Sequence, residues 1–89
     1  MARVNVQNRD MTEASSAGAN ADALFELGLK YSLGRDVSLD YVEAHKWFNL
    51  AALRGNDDAK RYRAELSREM SRQQISEAQK MARQWLARH

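Results

Sequence analysis

The sequence predicts an all-α domain, a short α-solenoid of two antiparallel helical hairpins with about four helices, preceded by an N-terminal leader. Three observations predict it. Proline is absent from all 89 residues, so no position inside a helix loses its backbone N–H donor or forces a kink. Apolar residues recur at intervals of three and four from Ala23 onward, the period of one helix face. The tetrapeptide NADA at 20–23 returns as NDDA at 56–59, a displacement of 36 residues, which falls in the range of helical-hairpin repeats.

The elements follow in order. Residues 1–19 end in SSAGA and have mixed polarity without a sustained period, so they read as a flexible leader. Residues 20–89 form the repeat domain, with a full repeat over 20–55 and a degenerate closing repeat over 56–89. In the first helix Ala23, Leu24, Leu27, Gly28 and Tyr31 share a face. Asn20 suits its N-cap, because the side-chain carbonyl can accept a first-turn N–H, and Gly34 suits the left-handed residue that closes it. The second helix begins after Asp40, which stands in capping-box spacing with Glu43. Tyr41, Ala44, Phe48, Ala51 and Ala52 make its stripe, with Trp47 beside it and Gly55 at the stop. The alanines let a neighbouring helix approach closely, and Trp47 and Phe48 fill the space at either side. Gly28 serves the same approach on the first helix, where a mid-helix glycine costs about 1 kcal/mol relative to alanine.

A third helix is expected over about Asp57 to Met70, with Ala59, Tyr62, Leu66 and Met70 on one side. A fourth starts near Ser71, where Ser71 and Gln74 make an S-x-x-Q capping box, and carries Ile75, Ala78, Ala82, Trp85 and Leu86. The spacing of this last set matches that of the second helix at a displacement of 34, whereas A-x-x-W matches at 38. The register of the second hairpin is therefore open.

Composition narrows the function. No stretch approaches the roughly 20 apolar residues of a membrane span, and MARVNVQNRDM has no apolar core of a secretory signal. The chain has no cysteine, hence no disulfide framework or thiolate metal site, which agrees with a reducing compartment and a cytoplasmic location. His45 and His89 are the two histidines; so wide a separation is a weak basis for zinc, and His45 reads as a helix-surface residue. Without a phosphate loop, nucleophile elbow or paired-carboxylate site, no catalytic residue, metal or cofactor is assigned, and an enzyme is not expected.

The residues A-L-F-x-L-G-x-x-Y at Ala23 to Tyr31, then Gly34, Val37 and Asp40-Tyr41, then A-x-x-W-F-x-x-A-A at Ala44 to Ala52, and Gly55-Asn56 resemble the Sel-one-like repeats, relatives of the tetratricopeptide repeats. The resemblance covers one full repeat, about Asn20 to Arg54. In the second unit Arg63, Ala64 and Ser67 replace Leu27, Gly28 and Tyr31, and Asp36 stands where the family often has a second loop glycine. The resemblance implies a non-enzymatic adaptor or scaffold whose first helices line a concave binding surface. Carried over by alignment, that protein-binding surface receives Asp22, Phe25, Leu29, Ser32 and Leu33 from the first repeat, and Asp58, Arg61, Glu65 and Arg68 from the second.

Independently of the family, Phe25, Leu29 and Leu33 lie at i, i+4 and i+8 and form a second apolar stripe. A helix apolar on two faces is buried twice. Two readings are open for this stripe: core covered by the rest of the chain, or a surface for a protein partner. Because solenoids need about three repeats to stand alone and this chain has roughly two, the second reading takes the form of self-association, a homo-oligomer, or a tightly held partner.

The alternative function is nucleic-acid binding. The formal charge is +2, but residues 1–53 hold 5 Lys/Arg against 7 Asp/Glu, giving −2, and residues 54–89 hold 9 against 5, giving +4. Within the basic half, Lys60, Arg61, Arg63, Arg68 and Arg72 cluster over 60–72, and such a face on a helix contacts phosphates. Glu65 and Glu69 interrupt the run and are expected to pair with Arg61, Arg68 or Arg72 at helical spacing. A charge run of this kind is usually a solvated face.

Overall fold

The computed structural model describes residues 20–88, and the leader expected over 1–19 lies outside them. Four helices make up the described residues: α1 (Ala21–Leu33), α2 (Tyr41–Leu53), α3 (Asp57–Ser67) and α4 (Arg72–Arg88), with no strand among them.

Local chemistry fixes each boundary. The Asn20 side chain accepts from the Ala23 N–H at 2.8 Å and starts α1. Gly34, at φ 68°, ends it in the left-handed conformation, and Arg35 N–H reaches back to Lys30 O at 2.9 Å, the six-residue closure of a Schellman turn. Asp36 also has positive φ, 64°, a conformation that favours glycine. Asp40 caps α2 by accepting from Glu43 N–H at 3.1 Å. The reciprocal half of that box does not form. Asp40 N–H instead donates to Tyr31 O at 3.0 Å, which ties the 34–40 segment to α1, and the Glu43 carboxylate accepts from Trp47 Nε1 at 3.0 Å and pairs with Lys46 at 3.1 Å.

The end of α2 and the start of α3 share one residue. Asn56 N–H donates to Ala51 O at 3.0 Å, and Gly55 N–H to Ala52 O at 3.1 Å, completing a Schellman turn around Gly55 at φ 105°. The Asn56 side chain then accepts from Ala59 N–H at 2.9 Å to open α3, and donates to Asp22 Oδ1 at 3.1 Å across the repeat. At α4 the Ser71 box is complete: Gln74 N–H donates to Ser71 Oγ at 3.0 Å, and Ser71 N–H to Gln74 Oε1 at 2.9 Å. Helix α3 stops at Ser67, short of Met70, whose side chain is nonetheless buried.

Contacts along the helices give their directions. Gly28 meets Phe48 and Tyr31 meets Asp40, so α1 and α2 run antiparallel. His45 meets Ser67 and Asn49 meets Arg63, so α2 and α3 do as well. Asp22 meets Asn56 and Phe25 meets Tyr62, so α1 and α3 run parallel at an offset close to the repeat length. Helix α2 is the hub, with α1 packed on it most extensively and α3 and α4 on its other sides, whereas α3 and α4 make little direct contact.

The core follows from this placement. Leu24, Ala44, Phe48, Leu50, Ala51, Ala59, Ala78 and Ala82 are buried, and Phe48 alone contributes about 1.5–3 kcal/mol by leaving water. Trp47 and Trp85 meet edge to face at 5.8 Å and 80° where α4 crosses α2, an arrangement that adds to area burial. The stripe at Phe25, Leu29 and Leu33 divides. Phe25 and Leu29 are half-buried against the core, while Leu33 is 62% exposed.

Candidate functional site

A groove of about 290 Å³ opens between α1 and α3 with α2 as its floor, lined by Ser32, Tyr41, Phe48, Tyr62, Glu65, Leu66 and Glu69. It exists because the two parallel helices are held apart by side chains rather than packed backbone to backbone. Phe25 wedges between them, 5.7 Å from the Phe48 ring and 5.1 Å, edge on, from Tyr62. Phe48 and Tyr62 lie 5.5 Å apart, tilted by 46°, so the aromatic wall is a wedge rather than a flat stack. Ser32 turns its hydroxyl to Leu29 O at 3.1 Å.

Ser32 and Glu65 are the two expected surface residues among those lining the groove. Asp22 is exposed and holds Asn56. Phe25 packs on Phe48 and Tyr62 of the groove, and Leu29 is half-buried against the core. Leu33 is exposed beyond Ser32 in the last turn of α1. Arg61 pairs with Asp58 at 3.1 Å and lies 5.8 Å from the Tyr62 ring, and Arg68 is exposed at the end of α3. Helical spacing places Tyr41, Phe48 and Tyr62 at core positions and carries no sign that their edges border an opening, and it predicts Glu69 as a partner of the arginines.

The electrostatics differ from the expected pairing. Arg61 goes to Asp58, Lys60 to Asp57 at 3.7 Å, and Arg63 to Asn49 Oδ1. Among the described residues neither Glu65 nor Glu69 forms an ion pair. First-turn aspartates are the nearer partners, since they also gain from facing the helix N-terminus.

His45 is not a surface residue. It is 2% exposed, because α3 packs on the face of α2 that carries His45 and Asn49. Ser67 Oγ donates to Arg63 O at 2.9 Å and lies 3.0 Å from His45 Nε2; with its proton committed to the backbone, the hydroxyl accepts, and Nε2 carries the imidazole hydrogen. Nδ1 is buried without a partner. Burial, and secondly the positive charge of Arg63, hold the His45 pKa below 6.5. The imidazole donates to the serine and has no carboxylate behind it, the reverse of an activated nucleophile. This is an interhelical strut. Among the described residues no group of three or more His, Asp or Glu side chains is placed to hold a metal ion, and no helix is long and apolar enough to cross a membrane.

No family model, curated protein or solved structure matches the chain.

Proposed function

We propose that the chain is a Sel-one-like repeat protein that acts by binding a segment of another protein in the groove between α1 and α3, without chemistry of its own, in the cytoplasm. The observation that carries this reading is the groove itself: concave, walled by aromatic and polar side chains, and set between the parallel helices α1 and α3. Grooves of this form take extended or helical segments by seating a few side chains against aromatic anchors. The motif residues support the reading through their places: Gly28 against Phe48, Asp40 on the α2 cap, and Gly55-Asn56 at the turn between units.

Nucleic-acid binding has less support. Lys60, Arg61 and Arg63 are each engaged by a side chain of the same chain, which lowers what they offer to phosphates. Self-association draws on Leu33, Leu39 and Leu53, at 62%, 57% and 63% exposure; light scattering coupled to gel filtration measures it directly.

The test fills the groove without touching the core. Ser32→Tyr places a ring in the opening, and Gln79→Tyr on the exposed side of α4 serves as control. With helicity unchanged in both, partner capture is lost with Ser32→Tyr and kept with Gln79→Tyr. Capture indifferent to Ser32→Tyr would place the binding surface elsewhere. Phe25 is unsuited to this purpose, because it packs on Phe48 and Tyr62 and its replacement disturbs the core.

A further inference from the structure

We infer that the groove selects a cationic side chain of the partner segment, arginine ahead of lysine, with Glu65 and Glu69 as the selecting residues; this rests on the protein-binding reading above.

The lining contains two carboxylates, three aromatic rings, two of them phenols, one serine, one leucine and no cation. In a chain of net charge +2 whose C-terminal half is basic, that is a local inversion of sign. Lys60 and Arg61 pair with first-turn aspartates, Arg63 hydrogen-bonds to the neutral Asn49 amide, and neither glutamate is ion-paired among the described residues. Glu65 and Glu69 are exposed at the groove, so a neutral side chain gains nothing from them and an acidic one is repelled. A cation gains charge-assisted hydrogen bonds from both.

The rings point to the same ligand. A cation gains from an aromatic face within about 6 Å of its centroid, and Tyr62 already has the Arg61 guanidinium at 5.8 Å. Tyr41 and Tyr62 line the same opening and are partly exposed, so the ligand's alkyl stem has apolar surface to cover while its head reaches the carboxylates. Arginine fits better than lysine because its planar guanidinium both stacks on rings and pairs with carboxylates in a fork. About 290 Å³ lies at the small end of ligand pockets, which suits one long side chain and its flanking backbone.

The test is selection from a random peptide library on the full chain, followed by comparison of the wild type with two variants of stated charge. Enriched peptides should share an arginine beside an apolar residue. They should bind the wild type at least about tenfold more tightly than Glu65→Gln/Glu69→Gln in roughly 50 mM salt, and the gap should narrow toward about 0.5 M, where exposed charges are screened. Glu77→Gln on α4, which removes a carboxylate away from the groove, should leave affinity unchanged. Replacing the peptide arginine by lysine should weaken binding, and by neutral citrulline should weaken it further. Peptides enriched without a basic residue, or indifferent to Glu65→Gln/Glu69→Gln, would overturn the cation selection and leave the protein-binding reading standing. Equal loss with Glu77→Gln would reduce the effect to net charge and overturn it as well. A library that yields no binder would overturn both.

Discussion

Gly28 and Phe48 show at the scale of single residues how packing overrides propensity. A Cβ on Gly28 would collide with Cδ1 and Cε1 of the Phe48 ring. Gly28→Ala therefore gains about 1 kcal/mol of helix propensity but incurs about 1–3 kcal/mol of overpacking. The expected result is a net loss of about 1 kcal/mol in urea unfolding, opposite in sign to what an exposed helix would give. Asp36 presents the converse case. At φ 64° it bears about 1–2 kcal/mol of left-handed strain, partly balanced by the extra freedom glycine has when unfolded, so Asp36→Gly should raise stability by up to about 1 kcal/mol in the same assay. Residue-scale chemistry also fixes a pH dependence. His45 titrates near 6.5 when unfolded and lower when folded, through burial and then Arg63. Below 6.5 the unfolded chain holds more protons, so stability is level above that pH and falls as the pH drops beneath it. Unfolding curves at stepped pH should show this decline in the wild type and a flatter one in His45→Gln. The role of Gly28 was readable from sequence, since a glycine at core spacing opposite an aromatic has one common use. That of His45 was not, because its burial depends on where α3 lies.

Helix ends and helix faces were unequally legible. The caps are local: Asn20, Asp40, Asn56 and Ser71 each lie within three residues of the N–H they satisfy, so spacing predicts Asn20, Asp40 and Ser71, while the capping role of Asn56 is seen in the structure. Ser71→Ala removes the oxygen that accepts from Gln74 N–H and should cost about 1 kcal/mol, read as a lower unfolding midpoint. The unformed half of the Asp40 box has a tertiary cause, the hydrogen bond from Asp40 N–H to Tyr31 O. Faces were harder. Two apolar stripes in the sequence predict double burial for α1, yet α2 is the helix buried on several sides, with His45 and Leu50 lying outside the expected stripe. The displacements of 34 and 38 conflict because the second unit is not a copy of the first. Its turn spans 68–71 rather than 34–40, and α4 has 17 residues where α2 has 13.

For the whole molecule, dependence on α2 means that the first repeat is not self-sufficient. Its partner-facing residues His45, Asn49 and Trp47 are covered by α3 and α4, so a fragment of residues 20–56 would expose apolar and unpaired polar groups together. Short helices gain most of their stability from packing. The fragment should show less than about half the helicity per residue of the full chain by circular dichroism. The groove was half-legible for the same reason: Ser32 and Glu65 could be carried over by alignment, but its floor is α2, whose side chains look from sequence like plain core. Asn56 has the widest reach of any single residue here, since it closes α2, opens α3 and grips Asp22. Anyone lengthening this array by grafting on further units should splice downstream of that asparagine and keep the Gly55-Asn56 pair intact. One inserted residue there would turn the next unit out of register, whereas the 34–40 arm offers slack in which extra length could be absorbed.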